Sequence, residues 1–334
     1  MDSLTQIVLG AAVGEATLGK KVGNKALLYG AIAGTIPDLD VIANFLTDTI
    51  TAIELHRGFS HSIVFGVLLA PILGWLVNKL ERKHNLGWKP WAKLFFLGLF
   101  THPLLDAFTT WGTQLFWPFK VRLAFNSIFV IDPLYTLPFL LLTLVLLFYK
   151  RDSKMRRRLN IAGLGISTGY LILTLVIKEV VNQKFEQALN DQQIAYSNIS
   201  TRPAPLTTLL WNANIETADS YLIADYSLFD TAPIRFETYP KNRKESTIMM
   251  KFPNVQRLMT ITEGWFIIEQ KMDQWYFYDL RFGLVPRKDQ PPFFAFTYLL
   301  EEINGRIRAT ETPKTERDAN YLLSQIWERI KGRP

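Results

Sequence analysis

Residues Ser62–Asn78 read SIVFGVLLAPILGWLVN, a run without a single Asp, Glu, Lys or Arg. Uncharged runs of the same kind recur at Leu94–Leu105, Pro133–Tyr149 and Leu159–Ile177. Since a helix of about 20 residues crosses the ~30 Å hydrocarbon core of a bilayer, these runs predict four membrane helices. Two shorter uncharged runs come earlier, at Ser3–Gly14 and Ala26–Pro37. The sequence therefore predicts a polytopic α-helical membrane domain with about four to six membrane helices.

Positive charge is unevenly distributed along the 334 residues, whose formal net charge is +7. Residues 1–178 contain 18 Lys and Arg against 10 Asp and Glu, whereas residues 179–334 contain 19 against 20. Most of the excess lies in three loops between the hydrophobic runs: 20–25, 79–93 and 150–158. By the positive-inside rule these loops are cytoplasmic, and the cation-poor loops 38–61 and 110–132 face outward. This alternation disfavours a soluble protein with buried helices, and it explains the charge without a nucleic-acid partner.

The second half of the chain differs, since its apolar residues come in short clusters bounded by Pro, Gly, Asn and Asp. Clusters rich in aromatic and β-branched residues are typical of strands. Seven strands are predicted, at Leu206–Ile215, Tyr221–Phe229, Ile234–Tyr239, Thr247–Phe252, Gln256–Thr262, Trp265–Lys271 and Trp275–Leu280. Lys314–Lys331 predicts a closing amphipathic helix, and 179–200 predicts a linker helix that extends the last span. An extracytoplasmic β-rich (α+β) domain at 201–334 is therefore expected after the membrane domain at 1–178.

Histidine and aspartate are concentrated on the side predicted to face outward. Seven candidate site residues, three of the four histidines and four aspartates, fall there: Asp38, Asp40, His56, His61, His102, Asp106 and Asp132. His102 and Asp106 are four residues apart, so a helix presents them on one face. Because the chain has no cysteine, a zinc–thiolate site, an iron–sulfur cluster and a cysteine nucleophile are excluded. Imidazole and carboxylate remain as ligands for Zn²⁺, Mn²⁺ or Fe²⁺, with enough groups for one to three ions.

Three polar residues, Asp132, Arg57 and Glu15, each admit more than one interpretation. Asp132 is a general base, a group that orients a metal ligand, or simply the N-cap of the following helix. Arg57 either binds an anionic group of a substrate or pairs with Glu54 at the surface. Glu15, which lies between two apolar segments, is either a further ligand or an ordinary helix-end acid.

Four short motifs carry a resemblance to a known family. They are Met1–Thr5 (MDSLT), Pro37–Asp40 (PDLD), His56–Ser62 (HRGFSHS) and His102–Asp106 (HPLLD). Together they resemble the YdjM-like family of bacterial inner-membrane proteins, described as metal-dependent hydrolases, over residues 1–178. The resemblance implies a set of metal-site residues: Asp38, Asp40, His56, His61, His102 and Asp106. The chain departs from the family pattern at Gln6, where a His often follows the opening motif, which implies fewer ligands from this segment.

The pattern is also loosely similar to zinc-dependent phospholipase C and P1-type nucleases, which cleave phosphodiesters at His/Asp sites. We therefore expect a multi-pass protein of the inner (cytoplasmic) membrane that hydrolyses a phosphoester in a lipid or lipid-linked substrate at the outer face. A divalent metal, with zinc favoured, would activate water, and Asp132 and Arg57 are the predicted catalytic residues. Two other classes stay open: a metal-handling or transport protein, and a non-catalytic membrane scaffold whose outer domain binds a partner.

Overall fold

The computed structural model describes residues 1–288, 290–313 and 318–333. The chain divides into two compact units. The first, called the helical unit, comprises Met1–Phe45, Leu55–Val176 and Pro205–Thr207. The second, called the β-rich unit, comprises Leu46–Glu54, Ile177–Ala204 and Thr208–Pro334.

The first part of the chain is helical, as the hydrophobic runs predict. Its α-helices are α1 (Ser3–Val22), α2 (Asn24–Thr35), α3 (Ala43–Leu46), α4 (Thr49–Leu55), α5 (Ile63–Leu80), α6 (Trp88–Asp106), α7 (Pro133–Leu146) and α8 (Lys154–Asp191). Among the described residues, three stretches are long and apolar enough to cross a membrane: Asn24–Leu46, Ile63–Leu80 and Lys154–Asp191. Helix α7 is a shorter apolar helix. The predicted polytopic helical membrane domain is thus confirmed.

Helices α1 and α2 pack against each other through glycines. Gly10 and Gly14 on α1 face Gly30 and Gly34 on α2. Within each helix the two glycines are four residues apart. A Cβ added at Gly30 would overlap the carbonyl oxygen of Gly10. Small residues at every fourth position let helix backbones approach closely in a membrane. This spacing is a sequence signal that the hydropathy pattern alone does not reveal.

A buried ion pair joins α1 to α8. Arg156 donates from Nε and Nη2 to the two carboxylate oxygens of Glu15, at 2.7 and 2.6 Å, and its Nη1 donates to Asn24 Oδ1 at 2.6 Å. Both oxygens of Glu15 are therefore engaged by a guanidinium, which favours the structural interpretation of this acid over that of a metal ligand.

The β-rich unit contains two antiparallel four-stranded sheets, each with its strands in sequence order. The first sheet consists of β1 (Asn198–Pro203), β2 (Leu210–Glu216), β3 (Ser220–Ser227) and β4 (Glu237–Pro240), and the second of β5 (Phe266–Lys271), β6 (Gln274–Arg287), β7 (Gln290–Ile303) and β8 (Arg306–Glu311). The carbonyl oxygen of Leu280 accepts hydrogen bonds from Arg202 Nη2 and Asn214 Nδ2, at 3.0 and 2.7 Å, and so links the sheets. The predicted β-rich (α+β) character is confirmed.

Two of the predicted strands are helices instead. Thr247–Phe252 lies largely within α9 (Arg243–Met250), and Gln256–Thr262 lies largely within α10 (Pro253–Ile261). The buried residues of α10 are Val255 and Leu258, whose spacing of three suits a helix face rather than a strand. A short apolar cluster does not distinguish these periods by composition, which is why the strand prediction was wrong here.

The ends of the second half also differ from the prediction. The linker helix ends at Asp191, and residues 198–203 already form β1. Gln193, two residues after the end of this helix, has a φ of 56°, a left-handed conformation common just beyond a helix end. The closing helix is present as α11 (Ala319–Ile330), whereas the predicted residues 314–317 lie outside the described part of the chain.

Candidate metal centre

Four side chains converge from three separate segments: Asp38, His61, His102 and Asp106. One candidate ligand atom from each lies within 4.8 Å of all the others. The Nε2 atoms of His61 and His102 are 3.1 Å apart, and Asp38 Oδ1 lies 3.4 Å from both. Asp106 Oδ2 lies 3.4 Å from His61 Nε2 and 3.5 Å from His102 Nε2. The spacing of four between His102 and Asp106 near the end of α6 places both on one face, as predicted.

The backbone before His61 is bent sharply. Arg57 adopts a φ of 57°, the left-handed region that residues other than glycine rarely occupy. This bend ends α4 and leads into the 3-10 turn Phe59–His61, after which Ser62 caps α5 by accepting a hydrogen bond from the Phe65 amide at 3.1 Å. Unusual backbone conformations of this kind are often retained at functional sites.

Hydrogen bonds of the imidazole rings determine which nitrogen faces the cluster. His102 Nδ1 lies 2.6 Å from the carbonyl oxygen of Gly34, which can only accept, so Nδ1 carries the proton. His61 Nδ1 lies 2.9 Å from Ser60 Oγ and 3.3 Å from Asp40 Oδ2. Both Nε2 lone pairs therefore point into the cluster. Metal-binding histidines are usually oriented in this way, by a hydrogen bond at the other ring nitrogen.

The two oxygens of Asp106 have different environments. Oδ1 accepts hydrogen bonds from the Met1 amino group and from Gln6 Nε2, the latter at 2.9 Å. Oδ2 is buried and accepts no hydrogen bond within the described part of the chain, although Arg57 Nε lies 3.3 Å away. A buried acceptor aimed at two imidazole lone pairs fits a bound cation, because the ion would satisfy all three groups.

The charge balance of the site also favours a cation. Burial lowers the pKa of the His61 imidazole, but the neighbouring carboxylates of Asp106, Asp38 and Asp40 outweigh burial and raise the pKa to about 9. The carboxylates thus stabilise positive charge at the centre of the cluster, whether it is carried by a proton or by a metal ion.

Asp40 and His56 lie beside the four-residue cluster rather than within it. Asp40 accepts hydrogen bonds from the Arg57 amide at 2.8 Å and from Ser60 Oγ at 2.9 Å, and His56 Nδ1 lies 2.9 Å from its Oδ1. The Ser60 hydroxyl donates to Asp40 and also lies 2.9 Å from His61 Nδ1, so it links Asp40 to the His61 ring. The structure thus brings six of the predicted residues together, with Asp40 and His56 forming an outer shell.

The remaining predicted residues have structural contacts. Arg57 is buried, pairs with Asp106 and donates from Nη1 to Thr109 Oγ1 at 2.8 Å, whereas Glu54 pairs with Arg257. Asp132 caps α7: its Oδ1 accepts from the amides of Leu134 and Tyr135, at 2.9 and 3.2 Å, and its Oδ2 accepts from the Tyr170 hydroxyl at 2.9 Å. The N-cap interpretation therefore describes the position of Asp132, which is not one of the four clustered residues.

The sequence reasoning missed three residues that support the cluster: Gln6, Gly34 and Thr109. The importance of Gly34 could have been predicted, since it belongs to the repeated four-residue glycine spacing of α1 and α2. The contacts of Gln6 and Thr109 depend on helix packing between distant segments, for which the sequence offers no local signal.

Helices long enough to span a bilayer and a buried cluster of histidine and aspartate define a polytopic membrane protein with a candidate metal site. The chain belongs to the YdjM inner membrane protein family, whose model matches residues 1–181. It is also 34% identical over 101 residues to the inner membrane protein YbcI of Escherichia coli (strain K12). That match covers 30% of this chain and 57% of the relative, and no solved structure matches significantly. The chain is therefore an integral protein of the inner membrane.

Proposed function

We propose that this protein is a membrane-bound metal-dependent hydrolase of a phosphoester in a lipid or lipid-linked substrate. The observation that carries the proposal is the pair of imidazole nitrogens facing each other beside the unsatisfied Oδ2 of Asp106. Two imidazole nitrogens and a carboxylate oxygen, all buried and directed at one point, support a binding site for a cation. The family match supports the same class of membrane protein.

The four clustered residues, Asp38, His61, His102 and Asp106, would hold a divalent ion. Two imidazole nitrogens and two carboxylate oxygens make a donor set that favours zinc, with manganese or iron as alternatives. A bound ion of this kind supplies a Lewis acid and lowers the pKa of a bound water toward about 7. A single cluster of this composition occurs in the described ranges, which favours one ion over two or three.

The surrounding residues have separate tasks in this proposal. Asp38 is the most exposed of the four, with 21% of its side chain accessible, so substrate would approach from its side. Asp40 holds the His61 ring in place. Arg57 compensates the negative charge of Asp106. Its positive charge would also attract an anionic group of the substrate. Asp132 fixes the start of α7 through its N-cap hydrogen bonds.

The proposed location is the outer face of the inner membrane. The charge pattern supports this orientation, because the basic loops at 20–25, 79–93 and 150–158 would be cytoplasmic. The site residues lie in or next to the intervening segments, and the β-rich domain would then be extracytoplasmic. Reporter fusions at Phe119 and Lys154 test the orientation, with an outside signal expected at Phe119 and an inside signal at Lys154. The reverse pattern would assign the site to the cytoplasmic face.

The proposed activity is tested with the purified full-length protein in detergent. After loading with zinc, manganese or iron, it would be assayed on phospholipids and lipid-linked phosphates, with His102→Ala as the blank. Metal-dependent release of phosphate or headgroup by the wild type alone is expected. If the wild-type protein binds none of these ions, the proposed function is wrong.

A metal-handling role is the second candidate, because His61, His102 and Asp106 are fully buried. Stoichiometric metal binding without hydrolysis of any tested phosphoester, combined with metal uptake into proteoliposomes, would favour that role instead.

A further inference from the structure

One short segment belongs to a different unit from the residues on either side of it. Leu46–Glu54, called the connector, is part of the β-rich unit, although Phe45 and Leu55 belong to the helical unit. In sequence the connector lies between Asp40 and His56. The segment that joins two of the site motifs in sequence is therefore part of the β-rich unit.

The two ends of this loop are tied together at the metal site. Asp40, which precedes the connector, contacts His56 Nδ1 through Oδ1 at 2.9 Å and accepts from the Arg57 amide through Oδ2 at 2.8 Å. The same Oδ2 lies 3.3 Å from His61 Nδ1. Asp40 thus closes the base of the loop and contacts one of the four clustered residues.

The middle of the loop is anchored in the core of the β-rich unit. Ile50 is 1% exposed and belongs to the same hydrophobic cluster as Phe266, Phe277 and Tyr298 of the second sheet. Ile53 packs against this cluster from the next turn of α4. An isoleucine buried so completely provides a fixed attachment, because withdrawing it would expose its apolar surface to water.

Polar contacts fix the orientation of the same segment. Arg257 donates from Nε and Nη2 to the two oxygens of Glu54, at 3.0 and 2.7 Å, and from Nη2 to Thr51 Oγ1 at 2.9 Å. Asp48 accepts from the amides of Ile50 and Thr51, both at 3.1 Å, and so begins α4. A bidentate pair adds directional specificity that burial of Ile50 alone does not provide.

We propose that the β-rich unit positions the metal site through the connector, with Ile50 and Arg257 as positioning residues. An anchored connector restricts the loop between Asp40 and His56, so that less conformational freedom is lost when an ion binds. The β-rich unit would in this way set the metal affinity of a site to which it contributes none of the four clustered residues. This inference rests on the proposed function, since it requires that the cluster bind an ion.

The test compares two equivalent cavities in the full-length protein. Ile50→Ala removes the anchor, and Ile215→Ala removes an isoleucine equally buried in the core beside the first sheet. Both variants should lower the thermal unfolding temperature. Only Ile50→Ala should weaken Zn²⁺ binding, measured by competition with a chelator, by about 10–100-fold, as expected when support of a metal ligand is lost. Ile50→Val should restore most of the affinity.

Unchanged Zn²⁺ affinity in Ile50→Ala, relative to the wild type, would overturn the inference while leaving the proposed function intact. An equal loss of affinity in Ile50→Ala and Ile215→Ala would do the same. Absence of Zn²⁺ binding by the wild type would instead overturn the proposed function, and this inference with it. If Ile50→Ala does not fold, Arg257→Gln serves without creating a cavity, with Arg235→Gln at an exposed position as its control. A loss of Zn²⁺ affinity confined to Arg257→Gln supports the inference, and unchanged affinity in both contradicts it.

Discussion

The Nε2 atoms of His61 and His102 lie 3.1 Å apart, although the residues are 41 positions apart in the chain. Each ring directs its Nδ1 proton to a different acceptor, so two nitrogen lone pairs face each other in a buried site. Such an arrangement is stable only if positive charge lies between the rings or if one ring is protonated. The elevated pKa of His61, about 9, reflects the second option, and a divalent ion would provide the first.

Removal of one of the two rings is expected to abolish metal binding. His102→Ala should reduce bound zinc or manganese from about one ion per chain to background, measured by elemental analysis of the purified protein, because one of the four clustered ligand groups is lost. His84→Ala is the matched control, since His84 lies beside Glu81 outside the cluster. Unchanged metal content in His102→Ala would contradict the assignment.

Asp40 and Asp106 should respond differently to the loss of charge. Asp40→Asn is expected to weaken metal binding by about 10–100-fold, because Asp40 orients His61 from the outer shell. Asp106→Asn should weaken it more, because Oδ2 faces the cluster directly. Chelator competition measures both affinities. If the two variants lose the metal equally, Asp40 is itself a ligand, as the family resemblance implies.

Gly34 links helix packing to the site. A Cβ at this position would overlap the carbonyl oxygen of Gln6, and the resulting shift of α2 would displace the Gly34 carbonyl from His102 Nδ1. Gly34→Ala should therefore lower both the unfolding temperature and the metal affinity. Gly169→Ala is the control, because a Cβ there meets nothing within 4 Å and alanine favours the helix. A stable, metal-binding Gly34→Ala variant would argue against this coupling.

The buried pair of Glu15 and Arg156 should matter for stability rather than for the site. Arg156→Leu leaves a buried carboxylate without its partner, which costs about 3–5 kcal/mol when one member of such a pair is lost. The double variant Glu15→Leu/Arg156→Leu should regain much of the unfolding free energy. Unfolding in detergent, followed by tryptophan fluorescence, measures the effect, and the metal content of folded protein should not change. Loss of metal in the double variant would assign Glu15 to the site after all.

The site could be predicted in part because its residue types are scarce. Only four histidines occur in the chain, and the spacing of His102 and Asp106 by four is sufficient to place them on one helix face. What could not be predicted is the division between the four clustered residues and the outer shell. Asp38 and Asp40 are two residues apart and chemically identical, and only the packing of the turn Ile36–Ile42 directs one to both imidazoles and the other to His56.

The sequence by itself determined that the first half is a helical membrane domain, that the second half is β-rich and which residues are available for metal chemistry. Uncharged runs and loop charges act locally through the cost of burying charge in a bilayer, so they can be read without knowing the fold. Only the tertiary structure decided that Asp132 caps a helix, that Thr247–Phe252 is mostly helical, and that the connector is anchored by Ile50 in the β-rich unit. The anchor at Ile50 depends on contacts between segments far apart in the chain. The cap at Asp132 and the mostly helical stretch Thr247–Phe252 are local features, but their residue types fit either alternative.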